Sequence, residues 1–206
     1  MTVLAFPAGL EPSEIRWGLV ANTQSGGRSP LDGTEQTLVM PGARWAAEIA
    51  WRGLPEAEWR ALAAFLAALG GRAGRFAFGP VHAARRATGG GTPVVNGAGQ
   101  SGATLSTRAW SANAQAFLAG DFLGFVGPTG RAQLHQVTAA VTASAGGIAA
   151  VPIAPPLRRP PADGATITLA SPTAVFRLSA DDDLVALRGA SLIGEASIRI
   201  EEAIFG

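Results

Sequence analysis

Two histidines, a run of three aspartates and a pair of glutamates are the residues of this chain best suited to acid–base or metal chemistry. His82 and His135 lie far apart, and neither has a partner at the H-E-x-x-H spacing that sets two imidazoles one helical turn apart around a metal. Both therefore read as surface or loop histidines. Asp181-Asp182-Asp183 offers hard oxygen ligands of the kind calcium takes, but it lacks the alternating ligands and distant glutamate of a calcium loop, so an acidic turn between strands is expected. Glu201-Glu202 is expected to straddle a strand with one carboxylate on each face.

Phosphate and acyl chemistry fare no better. Gly97-Ala98-Gly99-Gln100-Ser101-Gly102 is glycine-rich, yet a strand pattern follows it where a phosphate cradle needs a helix N-terminus, and no lysine follows. It reads as a turn. Ser101, Ser106 and Ser111 lack a G-x-S-x-G context, and with no cysteine in the chain thiol catalysis, disulfides and cysteine-ligated zinc are excluded. The sequence thus predicts no catalytic residue, no cofactor and no metal, and not an enzyme. The tryptophans leave one binding candidate. Trp17, Trp45, Trp51 and Trp59 fall on the inward faces of amphipathic runs, whereas Trp110 ends a strand and is the candidate exposed aromatic, able to stack on a sugar.

The elements that would position these residues are mostly strands. Glu14 to Val20 alternates Ile15, Trp17 and Leu19 against Glu14, Arg16 and Gly18. A polar loop, Asn22 to Leu31, is expected after it. Thr34 to Met40 and Arg44 to Trp51 read as a hairpin through Pro41-Gly42, with Trp45, Ala47, Ile49 and Trp51 on one face. The period then changes to three and four residues. Trp59, Leu62, Leu66 and Leu69 predict the chain's one convincing helix, over about 55–69, with Pro55 and two glutamates at its start and Gly70-Gly71 at its end.

Beyond a short strand at Arg75 to Gly79, a linker or loop runs from His82 to Thr92. Short strands with regular glycine turns follow: Ala103 to Trp110, Asp121 to Val126, Arg131 to Thr142 with a bulge near Gln136, and Gly147 to Ile153. Pro155-Pro156 and Pro160-Pro161 bracket an extended exit segment holding Arg158 and Arg159. Strands resume at Ile167, at Val175 to Leu178 and at Leu184 to Leu187, and Ser191 to Phe205 closes the chain. The predicted fold is mainly β: a β-barrel or sandwich domain of residues 1–85 plus 165–206 with one flanking α-helix, carrying an inserted small, OB-like β-barrel of residues 86–164.

At 48% apolar and 15% charged, 206 residues can bury a real core. All sixteen cations are arginine and the net charge is +1, which argues against a dedicated binder of nucleic acid. No apolar run reaches a membrane span of roughly twenty residues, and Met1 to Pro12 lacks the regions of a signal peptide, so cytoplasmic synthesis without membrane insertion is expected.

The opening "FPAGLEPSEIRWGLVANTQSGGRSPLDGTEQTLVMPGARWAAEIAW", then "LPEAEWRALAAFLAALGGRAGRFAFGP", and later "AGDFLGF", "AVPIAPPLRRPPADGATI" and "PTAVFRL", resemble tail proteins of long-tailed bacteriophages, and among these the distal tail protein. The resemblance rests on strand, turn and Pro-Leu-Arg punctuation across most of the chain and carries no catalytic signature. It implies a structural virion protein of the phage tail, assembled in the host cytoplasm. It further implies a homo-oligomeric, hexameric ring that joins the tail tube protein to hub or fibre proteins, with DNA only as passing cargo along the axis. Candidate inter-subunit contacts are Asn22, Gln24 and Arg28 in the first polar loop and Arg158 and Arg159 in the exit segment, although a plain solvated loop is the simpler reading of residues 22–31. A tail tube or terminator subunit, and a carbohydrate-binding receptor module using Trp110 or Phe122, stand as the alternatives.

Overall fold

The computed structural model describes residues 2–81, 85–181, 185–188 and 193–204, so His82, Asp182 and Asp183 lie outside the described residues. The chain opens with β1 (Val3–Ala5) and β2 (Glu14–Val20), runs out and back through β3 (Thr23–Arg28) and β4 (Glu35–Val39), and returns along β5 (Arg44–Pro55). On β5 Trp45, Ala47, Ile49 and Trp51 are buried and alternate with less buried residues, the two-residue period of a strand with one face on a core. Helix α1 (Glu56–Leu69) follows without a loop. Pro55 supplies the extended residue before it, Glu56 and Glu58 complement the positive end of its dipole, and Gly70, at φ 62°, takes the left-handed conformation that closes it.

The helix buries Leu62, Phe65, Leu66 and Leu69 and leans on β5 and on the last strand, β17 (Ile193–Glu202). The approach is close because Gly194 has no side chain: a Cβ there would collide with the Trp59 ring. Between helix and last strand come β6 (Arg75–Phe78), eight strands of a second sheet system, β15 (Ala174–Leu178) and β16 (Val185–Arg188). The first sheet is ordered β1-β6-β15-β17-β5-β2, with β16 paired to β17, and so draws its strands from both ends of the chain. Ile198 sits opposite Ile49 and Phe176 opposite Phe76, so that the inward rows of β5, β17, β15 and β6 form one apolar face under the helix.

The second system comprises β7 (Gly91–Val95), β8 (Gly102–Trp110), β9 (Gln115–Phe117), β10 (Phe122–Val126), β11 (Ala132–Val137), β12 (Val141–Thr142), β13 (Ala149–Leu157) and β14 (Ile167–Thr168). Six of these form a sheet ordered β14-β10-β11-β13-β8-β7, while β9 and β12 pair separately. The sheet curls until its ends meet, through a bridge between Val94 and Thr166 and a hydrogen bond from Val95 N–H to the Ala165 carbonyl at 2.9 Å. Val95, Leu105, Phe117, Leu123, Phe125 and Val151 fill the interior.

Four expectations change. The hairpin partner of β4 is β3, not β5, because the polar stretch taken for a loop pairs back on it. The strand at Ile167, assigned by sequence to the outer domain, pairs with β10 in the second sheet. No bulge sits at Gln136; β11 ends at Val137 and β12 begins at Val141, with Leu134 in the first core and Val137 in the second. His135, expected on a surface or loop, is fully buried on β11 between those two residues.

Candidate assembly arm and the cleft at its base

The β3–β4 ribbon continues the β2–β5 pair outward, and from Ala21 to Met40 every residue except Ser29 is exposed. Six strand residues carry it roughly 20 Å from the sheet. A two-stranded ribbon with neither face covered is marginal on its own. Its apolar side chains are in the open: Leu31 is 96% exposed, Val39 75% and Leu38 59%.

The tip is tied down by its own side chains. Ser29 N–H donates to the Thr34 carbonyl at 2.8 Å and Gly33 N–H to the Ser29 carbonyl at 3.0 Å. Asp32 Oδ1 accepts from both Thr34 N–H, at 3.1 Å, and Thr34 Oγ1, at 2.7 Å. Arg28 folds over the turn and donates through Nε to the Gly33 carbonyl at 3.0 Å. Hydrogen bonds from Ser29 and Thr34 hold the Asp32 carboxyl down at about 2, so it is ionised under ordinary conditions.

At the base of the arm a cleft of about 520 Å³ lies between Ala21–Asn22, Val39–Ala43, the segment Pro156–Arg159 and Ile204. Its walls are chiefly apolar, with Asn22, Arg158 and Arg159 as the polar members. Asn22 is braced by donating its Nδ2 to the Pro41 carbonyl at 2.6 Å. Thus three of the five candidate contact residues meet at one place, whereas Gln24 and Arg28 lie out along the arm.

Arg158 is already engaged within its own copy. Its side chain is 13% exposed and is engaged with the Glu202 carboxylate, itself 4% exposed, while Nη1 donates to the Ala43 carbonyl at 3.2 Å. Burial pushes the Glu202 carboxyl up, and the Arg158 charge and the Trp45 N–H bond at 3.1 Å work against that rise. Arg159, by contrast, keeps part of its surface at the cleft and donates one hydrogen bond, to Thr129 Oγ1 at 3.2 Å. Glu201 faces the other side of β17, as expected from its neighbour. Burial tends to raise its carboxyl, but hydrogen bonds from Arg177 at 2.6 Å and Arg44 at 2.9 Å overcome that and hold it low.

Trp110 is also corrected. It is 5% exposed, donates Nε1–H to Thr107 Oγ1 at 2.8 Å and meets the edge of Phe117 at 5.3 Å. Its place at the end of a strand does not expose it, because Ala109 takes a positive φ of 66°, which turns the end of β8 and brings the next side chain inward. Arg85, read only as part of a linker, caps the ring at 5.4 Å and ties the linker to the barrel through the Ala116 and Gly89 carbonyls. No sequence pattern announces that contact.

Among the described residues, His135, Gln100 and Asp181 make contacts within the fold. His135 Nδ1 lies 2.8 Å from the Pro155 carbonyl, which can only accept, so Nδ1 carries the proton. Burial, reinforced by the Arg158 charge, drives its pKa down to about 3. Gln100 closes the glycine-rich turn by donating to the Asn96, Gly97 and Ser106 carbonyls and accepting from Ser106 N–H at 2.6 Å. Asp181 accepts from Arg72 N–H at 2.8 Å, and no group of three potential metal ligands occurs among the described residues. Nor is any helix among them long and apolar enough to cross a membrane. No family model and no curated protein matches this chain.

Proposed function

We propose that this chain is a structural subunit of a phage-type tail, of the distal-tail adaptor kind, which assembles into a ring through its β3–β4 arm. The observation that carries the reading is the arm itself: a projecting ribbon with both faces in solvent and leucine and valine side chains uncovered. A ring of copies covers such an arm repeatedly and hides sheet edges at the same time. The hexameric count, the tail tube on one side and hub or fibre proteins on the other come from the resemblance of the sequence to distal tail proteins. DNA then passes along the axis as cargo, and the protein resides in the virion after assembly in the host cytoplasm.

A tube or terminator subunit would use the same arm and is separated from this reading by copy number and position in a map of the particle. The glycan-binding alternative, which relied on Trp110 or Phe122, loses support, since Trp110 is buried in the barrel and Phe122 is partly buried against the first core. The deciding experiment is electron microscopy and light scattering on the purified chain and on a variant lacking Ser25 to Arg28. The intact chain is expected to form closed rings and the deletion variant folded monomers; rings from the deletion variant would refute the arm's role.

A further inference from the structure

The arm ends in a rigid turn that holds one leucine outward, and its base carries an apolar cleft with a cation on the rim. Those two features match in polarity and charge, but they lie at opposite ends of one ribbon and cannot meet within a single copy. We propose that the tip of one arm docks in the base cleft of a second copy, with Leu31 against Met40, Pro156 and Leu157 and Asp32 beside Arg159.

Three observations support the match. First, the hydrogen bonds within the tip fix its shape before any encounter, so docking a 96% exposed leucine gains apolar burial with little loss of loop entropy. Second, the cleft, at about 520 Å³, has room for a leucine and its flanking backbone, and its walls are mainly aliphatic. Third, the tip from Arg28 to Glu35 carries two carboxylates, Asp32 and Glu35, against one cation, Arg28, whereas the cleft carries Arg159, and Arg158, the other guanidinium there, is already neutralised by Glu202. Arg159 is therefore the unspent positive charge at the rim, and a neighbour's acidic tip is favoured over a basic one.

This docking rests on the arm being the assembly element, and the test separates the two ideas. The chain has no cysteine, so Leu31→Cys combined with Leu157→Cys gives a clean cross-linking pair under mild oxidation. Covalent oligomers on non-reducing gels are expected from the double variant and not from either single one. Charge reversal is the second arm of the experiment: Arg159→Asp and Arg159→Glu should each weaken self-association at least tenfold in sedimentation while Arg159→Lys keeps most of it, and Asp32 is left in place because its hydrogen bonds shape the tip. Leu31 and Arg159 lie outside the cores and Leu157 is only partly buried against the second one, so folding of every variant is checked by circular dichroism. If the wild type assembles while the cysteine pair does not cross-link and the charge variants assemble normally, the docking is wrong and the arm binds elsewhere. If the wild-type chain stays monomeric at all concentrations, the assembly reading fails and the docking fails with it.

Discussion

At the scale of single residues, the Arg158–Glu202 pair is the contact where one substitution does most damage. Both side chains are largely withdrawn from water, so removing one leaves the other as an uncompensated buried charge. Arg158→Ala is expected to cost about 3 kcal/mol in urea unfolding, and Arg158→Met with Glu202→Leu to recover most of that loss. His135 makes a second prediction. Its folded-state pKa of about 3 lies below the 6.5 of an exposed imidazole, so between those values the unfolded chain binds the extra proton. Stability is complete above pH 6.5 and falls as the pH drops toward 3, by roughly 5 kcal/mol at most. Glu202 acts in the opposite sense just above the ordinary glutamate range, because its raised pKa makes the folded state the better proton binder there. Unfolding of His135→Gln should lose the acid sensitivity above the carboxylate range, between about pH 5 and 6.5, while Glu202→Gln should retain it.

Among the elements, helix α1 and the arm behave as opposites. The helix is held by burial of Leu62, Phe65, Leu66 and Leu69 and by the absence of a side chain at Gly194. Gly194→Val should force the Trp59 ring away and destabilise the fold by about 2 kcal/mol, read as a lower Tm. The arm adds nothing to the core of its own copy, since its residues are exposed on both faces. Leu38→Ser with Val39→Thr is therefore expected to leave the Tm of the monomer within a degree or two while abolishing the proposed self-assembly, as judged by light scattering.

Over the whole molecule, the two cores touch through β5, β10 and β11. Trp45 Nε1–H donates to the Leu134 carbonyl at 2.9 Å, Phe122 lies 5.6 Å from the Trp45 ring, and Leu134 belongs to the first core although β11 belongs to the second sheet. Arg158 and Glu202 bridge the same boundary from the far end of β13 to the far end of β17. Such a junction couples the barrel to the outer sheet. Trp45→Phe, which deletes the hydrogen bond and keeps an aromatic ring, is expected to lower stability by about 1–2 kcal/mol and to loosen both halves together in hydrogen exchange, because the carbonyl it leaves behind is buried.

The amino-acid pattern alone determined what depends on local period and local backbone preference. Helix 56–69, the inward faces of β2, β5, β6, β15 and β17, and the short-strand character of residues 91–157 follow from spacing and from Pro and Gly at their ends, and a sequence carries those directly. Tertiary structure decided which strand pairs with which, because a polar run such as Thr23–Arg28 has no apolar face to report its partner. It also decided where Trp110 and His135 point, one through a backbone turn at Ala109 and the other through the meeting of two cores on β11. Arg158 lost its freedom to Glu202, 44 residues away, and Asn22 and Arg159 gained a shared cleft across an even longer span. Contacts of that separation are set by chain topology and burial, and no spacing along the sequence encodes them.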